Sequence, residues 1–542
     1  MLLYIVCYYI LIFLLFSNSI NCNSSKDVIR IKDYSLSYLI DILKKNNHIF
    51  QEWDTNNITS SNINDFINTI DEWITTIPII NTNTITNITL NCINTRYSNV
   101  LTGSIVKKPK VIIDFIPFGY DVDKLLIRLI ETYDVVDIFV IYECPYTLIG
   151  LSKAYYFRKI IQLKQFKKYI DKIVYFYSTN NETQYIANIA SNSIGIKFNN
   201  DIFAVELFMA KEMIRIFKTI FLSDVNSDTF KVTEDKLLSF FNTKEKLDRF
   251  RSIILREYKY ILAIQNDGDE IVSGQVLYHL KHCQVKADVE SIYTPSFGFK
   301  HNFNWMIRSL EMDECFQSAN DNDKLLDPYL KQFLWNLGPV LWPLHIMIDN
   351  EHNMRRMKKN DYCIHHMGLG AAVHISASND PVENWMKNCA TIEGRLHCLK
   401  FSKDFVNGLK SGNLTSNLLF ESTIHPFCSR HNYIVHKNSL QIPRKRLKGL
   451  AWINENDNEK IRSAAIQLIN DAIPKIVRLV PSAFPFLIPT FEKNSTSIFK
   501  VVDDVNWASH CTGKDSTHRT KNGAVIEFLK YLSPFQMNFN MQ

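Results

Sequence analysis

Between Val111 and Gln265 four apolar runs of strand length, Val111–Ile116, Val135–Tyr142, Lys172–Tyr177 and Tyr260–Gln265, are separated by segments long enough to cross over a sheet. A run without polar alternation is a strand covered on both faces, and strands that alternate with helices form a parallel sheet. The pattern predicts helices over Asp121–Tyr133, where Leu125, Leu126, Leu129, Ile130 and Tyr133 share one face, around Ser152–Phe166, and over Lys244–Glu257. Ile202–Thr243 reads as less regular. Beyond the fourth run, Val276, Leu277 and Leu280 mark another helix, Val289–Thr294 a strand, and Ile461–Leu479 has helical periodicity. The expected class is α/β, a Rossmann-type sheet with helices on both faces.

The fourth run stops at Asn266-Asp267-Gly268-Asp269-Glu270. Loops at the carboxyl ends of parallel strands converge on the ligand crevice of open α/β sheets. Alternation in an extended segment puts Asp267 and Asp269 on one side, and Gly268 between them lets backbone approach a ligand. A cation held by one or two carboxylates plus phosphate oxygens neutralises a leaving diphosphate directly, and oxygen-only ligation favours Mn²⁺ or Mg²⁺ over zinc. A bare Asp-x-Asp also serves as a solvated turn or helix cap, so its position after an apolar strand carries the argument. The remaining ligands of an EF-hand loop are missing after Val272. Cys363, His365 and His366 lack zinc-site partners at structural spacing.

The first 16 residues carry no charged side chain and the uncharged stretch runs on to Lys26, which reads either as a cleaved signal peptide over 1–22 or as a short type II signal-anchor. Sequons at Asn23, Asn57, Asn87, Asn181, Asn413 and Asn494 agree with a lumenal address in the ER or Golgi, and contact with a membrane is expected only through that first segment if it stays uncleaved. Eleven cysteines fit disulfides in an oxidising lumen, without indicating the pairing. With 61 basic against 55 acidic residues and no block of like charge, nucleic acid is not an expected partner. Residues 23–106, rich in Asn, Thr, Ser and Ile, read as a stem or extension, 107–489 as the catalytic domain and 490–542 as a tail.

Several blocks together resemble glycosyltransferase family 17, the β-1,4-mannosyl-glycoprotein 4-β-N-acetylglucosaminyltransferases that make bisected N-glycans. Asp123–Arg128 (DKLLIR), Asp134–Asp137 (DVVD), the strand ending in Glu143, and Tyr146-Thr147 are similar to the family's "D-L-L-x-x-R … D-V-V-D-x-F-V-V-x-E-S-x-x-T". Arg249 resembles the arginine ahead of the acidic motif, Asp267–Ile271 the "D-x-D-E-I-P" segment, and Ala372–Ser376 with Lys387 a "G-W-H-x-S … K" segment. Val272 stands in place of the motif's proline, Ala372-Val373 in place of Gly-Trp, Cys144-Pro145 in place of Ser-Asn, and Asp121 where the family tends to have Glu. The resemblance implies a GT-A-like fold, UDP-GlcNAc as donor, an N-glycan or glycoprotein acceptor, inversion at the anomeric carbon, and a metal. On that footing Asp269 holds the metal, and Asp267 the ribose or a second metal position. Arg128, Glu143 and Arg249 border the donor; Arg128 suits an ion pair with a neighbouring acid equally well. His374 and Lys387 face the diphosphate, although a packed histidine and a solvated lysine are ordinary uses of those residues. Glu270 is the candidate general base by position. Phe297, Phe299, Phe303 and Trp305 offer a sugar-stacking wall or core packing. Two alternatives remain: a catalytically silent glycan-binding protein of the same fold, and a transferase with another donor or acceptor.

Overall fold

The computed structural model describes residues 89–119, 121–148, 150, 155–178, 181–193, 204–239, 242–299, 303, 305–309, 316–335, 338–350, 364–375, 432–436, 455–481, 484 and 487. The N-terminal apolar segment, most of the stem, Lys387 and the tail after 487 lie outside them. Among the described residues no helix is long and apolar enough to cross a membrane.

In chain order the elements are β1 Leu101–Ile105, β2 Val111–Phe118, α1 Val122–Thr132, β3 Ile138–Glu143, the short turns α2 Phe157–Ile160 and α3 Lys164–Lys167, β4 Ile173–Tyr177, α4 Asn181–Ser193, α5 Ala204–Leu222, α6 Asp228–Leu237, α7 Lys244–Glu257 and β5 Ile261–Gln265. Then come β6 Glu270–Val272, α8 Gly274–His282, β7 Cys283–Val285, β8 Ile292–Tyr293, β9 Ser296–Phe299, β10 Trp305–Ser309, α9 Asp321–Leu330, β11 Leu334–Trp335, β12 Val340–Pro343, α10 Leu344–Asn350, β13 Ala372–Ile375, β14 Asn432–His436, α11 Glu455–Ala472 and α12 Lys475–Leu479. The four apolar runs are β2 to β5. The span Ile202–Thr243 differs from its expectation: α5 and α6 occupy it, and the buried residues of α5 from Val205 to Phe221 show why its mixed pattern hid a helix that is covered on more than one side.

The principal sheet has the order β4-β3-β2-β5-β12-β8. Its first four strands are parallel, while β12 runs antiparallel to both β5 and β8. Alternate residues of a strand point to opposite faces. Phe115 of β2 meets Phe217, and Phe176 of β4 meets Phe221, both on α5, whereas Asp114 meets Arg128 on α1. The sheet is therefore covered on both faces, as its apolar strands require. The chain moves from β2 out to β4 and returns on the other side of β2 to make β5, so a topological switch point falls between β2 and β5.

A second sheet, β14-β10-β9-β13-β6 with β11 on β9, begins immediately after β5, because β6 pairs with β13. The loop Asn266–Asp269 thus leads from one sheet into the other. Phe297, Phe299 and Phe303 are buried, with Phe299 and Phe303 edge to face at 5.0 Å, and so pack the core. Glu131 at the end of α1 accepts amide hydrogens from Gly274 at 3.3 Å and Lys475 at 2.8 Å, tying the starts of α8 and α12 to it. Gly274 admits no side chain, since a Cβ there would lie 2.3 Å from the Glu131 carbonyl oxygen.

Ahead of Lys107, where the apolar pattern starts, the chain already belongs to the fold. β1 pairs with β7, and Cys92 is joined to Cys283 across 191 residues of sequence. Asn91 donates its amide to His279 Nε2 at 3.3 Å, and Arg96 donates to the Leu369 carbonyl at 2.5 Å while pairing with Asp323 at 3.1 Å. His366 is stacked on Phe316, accepts the Gly368 amide on Nδ1 at 3.2 Å and donates from Nε2 to the Gln317 carbonyl at 3.0 Å. These contacts fix the turn that leads into β13.

Closing a loop of 191 residues removes up to about 5 kcal/mol of unfolded-state entropy in the chain-entropy description, so Cys92→Ser is expected to cost several kcal/mol, read as a drop in melting temperature without reductant. Burial pushes the His366 imidazole down from 6.5 to about 4, with the Gln317 hydrogen bond opposing and Lys331 reinforcing. The unfolded chain then binds the proton first, so the neutral ring's contribution is complete above pH 6.5 and is lost as the pH falls to about 4, a loss of about 3 kcal/mol. Melting curves between pH 7 and 4 should be less steep in pH for His366→Asn; equal slopes would refute this.

Candidate active site

Asp114 is the one charge in the apolar strand β2, and burial pushes its carboxyl above the usual carboxylate range while Arg128 pulls it back. Arg128 reaches it from α1, donating from Nε to Oδ2 at 2.8 Å and from Nη2 to Oδ1. Both side chains are essentially inaccessible to solvent. The same guanidinium donates to Asn266 Oδ1 and, at 3.0 Å, to the Asp267 carbonyl. Asn266 in turn donates from Nδ2 to the Glu270 carbonyl at 2.6 Å, and the amides of Asp267 and Glu270 close the loop on Glu270 Oε2 and the Asp267 carbonyl. Arg128 therefore serves in the ion pair that its sequence context also allowed, and through that pair it holds the backbone of the acidic loop.

The loop sits at the carboxyl end of β5, beside the switch point. Gly268 packs against the end of β2 and the N-cap of α1: a Cβ there would lie 3.3 Å from the Pro117 carbonyl oxygen and 3.6 Å from Asp121 Oδ2. Asp121 is thus a third acid at the loop, and its Oδ1 pairs at 2.6 Å with Lys124, which is wholly buried. β13 places His374 opposite Glu270 in register, and His374 Nε2 lies 3.4 Å from Asp269 Oδ2. The Ile375 amide donates to the Asp269 carbonyl at 2.9 Å. Asp267, Asp269, Glu270 and His374, separated by up to 107 positions in the sequence, meet here because the second sheet pairs β6 with β13.

The other expected site residues have different surroundings. Glu143 is buried at the end of β3, where its carboxylate accepts the amides of Tyr156 at 2.7 Å and Phe157 at 3.1 Å and the Tyr175 hydroxyl at 2.9 Å. Burial first, and then the Glu143 charge, keep that phenol protonated well above its ordinary range. Arg249 lies on α7 and donates to the Asp171 carbonyl at 2.8 Å, ahead of β4 and so at the amino end of the parallel strands. Glu270 is completely buried, and its Oε2 accepts the Asp267 amide of its own loop at 3.3 Å. Asp114 is the residue here that motif spacing passes over, while Asn266 and Asp121 stand within the quoted motifs without a role assigned to them. A lone acid in a buried strand was the available signal for Asp114, since such a charge requires a buried partner.

Among the described residues no three His, Cys, Asp or Glu side chains group into an all-protein metal cage. The donor set at the loop, two aspartates two positions apart with a histidine beside one of them, instead suits a hard divalent cation that completes its shell with waters and phosphate oxygens.

Removing one partner of a buried pair leaves the other charge uncompensated, so Arg128→Met is expected to cost about 3–5 kcal/mol. Asp269→Asn, which preserves the shape of the side chain and its capacity to meet His374, should stay near the wild-type melting temperature. Thermal denaturation of the two variants checks the contrast, and an equal loss in both would contradict the assignment of Arg128 as the anchor of the loop.

No curated protein and no solved structure matches the chain. Residues 80–226, from ahead of Cys92 through α5, match the model of glycosyltransferase family 17; the acidic loop and His374 follow beyond that stretch. This match, over the stretch it covers, supports membership of glycosyltransferase family 17 and with it a glycosyltransferase activity.

Proposed function

We propose that this glycosyltransferase moves N-acetylglucosamine from UDP-GlcNAc onto the mannose of an N-linked glycan, in β-1,4 linkage with inversion, in the lumen of the Golgi or ER. The observation that supports a nucleotide-sugar donor most directly is the Asp267-Gly268-Asp269 loop at the switch point of the parallel sheet, held from below by Arg128 and flanked by His374. Asp269, with Asp267, would hold a Mn²⁺ or Mg²⁺ ion, which when bound neutralises the charge that develops on the leaving diphosphate. His374 supplies a further hydrogen-bonding group beside Asp269. Gly268 lets the loop pack closely against the end of β2 and the N-cap of α1.

The family model supports transfer of a sugar, while donor, linkage and metal rest on the loop and on the resemblance of its flanking blocks. The test is UDP release from UDP-GlcNAc by the chain produced through a secretory pathway, with Mn²⁺ or with EDTA, in wild type and Asp269→Ala. Metal-dependent release that falls about 100-fold or more in the variant is the expected result. Release from a different nucleotide sugar would keep the transferase and replace the donor. Glycan binding without release from any donor would favour the silent binding protein.

A further inference from the structure

At the carboxyl ends of β3 and β4 the chain builds an aromatic platform that the acidic loop does not use. The Arg158 guanidinium carbon, on α2, lies 4.1 Å from the centre of the Tyr177 ring, 4.9 Å from that of Tyr155 and 5.9 Å from that of Tyr175. Tyr177 meets Tyr155 edge to face at 5.7 Å and stacks with Tyr175 at 5.6 Å. Tyr155 donates its hydroxyl to the Ser178 carbonyl. Glu143 accepts the amides of Tyr156 and Phe157, so the turn that carries Arg158 is fastened to the end of β3.

A guanidinium is charged at every accessible pH and carries five N–H donors in a planar fork. Aromatic faces stabilise the cation but leave most of those donors without an acceptor. Among the described residues no carboxylate lies within ion-pair distance of Arg158, and it is half-buried. A cation held over tyrosine rings, with no carboxylate within ion-pair distance among the described residues, is arranged to accept an electron-rich planar group.

Its location narrows the choice of that group. Strands of a sheet are about 4.8 Å apart, which puts the end of β3 about 10 Å and that of β4 about 14 Å along the same edge from β5 and the acidic loop. A nucleoside diphosphate held by its phosphates at Asp267 and Asp269 has its base to place along that edge. Resting on the nucleotide-sugar reading above, we infer that Arg158, with Tyr155 and Tyr177, forms the subsite for the donor's base and selects a carbonyl-bearing base, uracil or guanine, over adenine. The selection follows from a donor-only side chain: uracil presents a carbonyl oxygen and guanine a carbonyl with a ring nitrogen, whereas adenine presents an amino group in the corresponding position. Stacking on the guanidinium and the tyrosine rings holds any base, and the N–H fork discriminates among them. Glu143 is then a positioning residue, acting through the turn that bears Arg158.

The test is calorimetric titration of the full chain, in Mn²⁺, with UDP, GDP, ADP and inorganic pyrophosphate. The wild type should bind UDP or GDP at least about tenfold more tightly than ADP, as one good bidentate pair discriminates between bases. Arg158→Met keeps an apolar stem over Tyr177 without any N–H; it should bring the favoured nucleotide down to the ADP value and leave pyrophosphate unchanged. Arg158→Lys retains the charge without the planar fork and should lose the preference as well, which carries the test should the methionine variant fold poorly. An equal loss for pyrophosphate would make Arg158 a phosphate ligand and overturn the assignment, as would unchanged nucleotide affinities or a wild type indifferent to the base. A wild type that binds none of the four probes would refute the nucleotide-sugar reading itself, and this subsite with it.

Discussion

Arg128 extends from α1 across the face of the sheet to Asp114, and two hydrogen bonds between guanidinium and carboxylate fix both groups where water does not reach. Taking two charges out of water costs several kcal/mol each, and the pair repays this only when the remaining hydrogen-bonding capacity is also used. Here it is used on Asn266 and on the Asp267 carbonyl. The interaction that makes the buried charge tolerable is therefore also the one that sets the acidic loop at the carboxyl end of β5. A salt bridge of this kind contributes little net stability against an apolar alternative; its product is a defined position for a loop that would otherwise be held only by its ends.

The other side of the loop is set by the second sheet. β6 starts one residue after Asp269 and pairs with β13, and β13 is itself delivered by the turn that Arg96, Asn99 and His366 secure. The strap from Asn91 to Ile105 reaches both this turn and α8, and the Cys92–Cys283 disulfide fastens it to the end of α8. Two separately anchored supports, the sheet with α1 on one side and the strap with β13 on the other, thus converge on Asp269 and His374. Loops carrying chemistry need such rigid supports, because a displacement of about 1 Å is enough to cost orders of magnitude in rate.

Much of this was legible in the residues. The four apolar runs became β2 to β5, and the bounds of α1 and α7 were placed to within a residue, because periodicity reports burial directly. The site divided by chemistry. Asp267 and Asp269 could be found from spacing, since two acids about a glycine at a strand end are a local pattern. Arg128 and Glu143 could be found only as charges in the right neighbourhood. Whether such a charge faces a ligand or a protein partner depends on residues far away in the sequence, Asp114 and Asn266 in one instance and the amides of Tyr156 and Phe157 in the other. The helix α5 was missed because a helix covered on several sides loses the amphipathic signature, whereas α6 buries only Phe230, Glu234 and Leu237 and offers a short apolar stripe.

The sequence by itself determined the class of the sheet, the strand that bears the acidic loop and the resemblance to glycosyltransferase family 17, all of which depend on local pattern. Only the tertiary structure decided that Cys92 pairs with Cys283, that His374 stands beside Asp269, that Glu270 turns inward, and that Arg158 lies on three tyrosine rings. The physical reason is the same in each case. Side-chain periodicity encodes which face is buried, but pairing between groups a hundred or more residues apart is set by strand register and helix docking, which are settled by the packing of the whole chain.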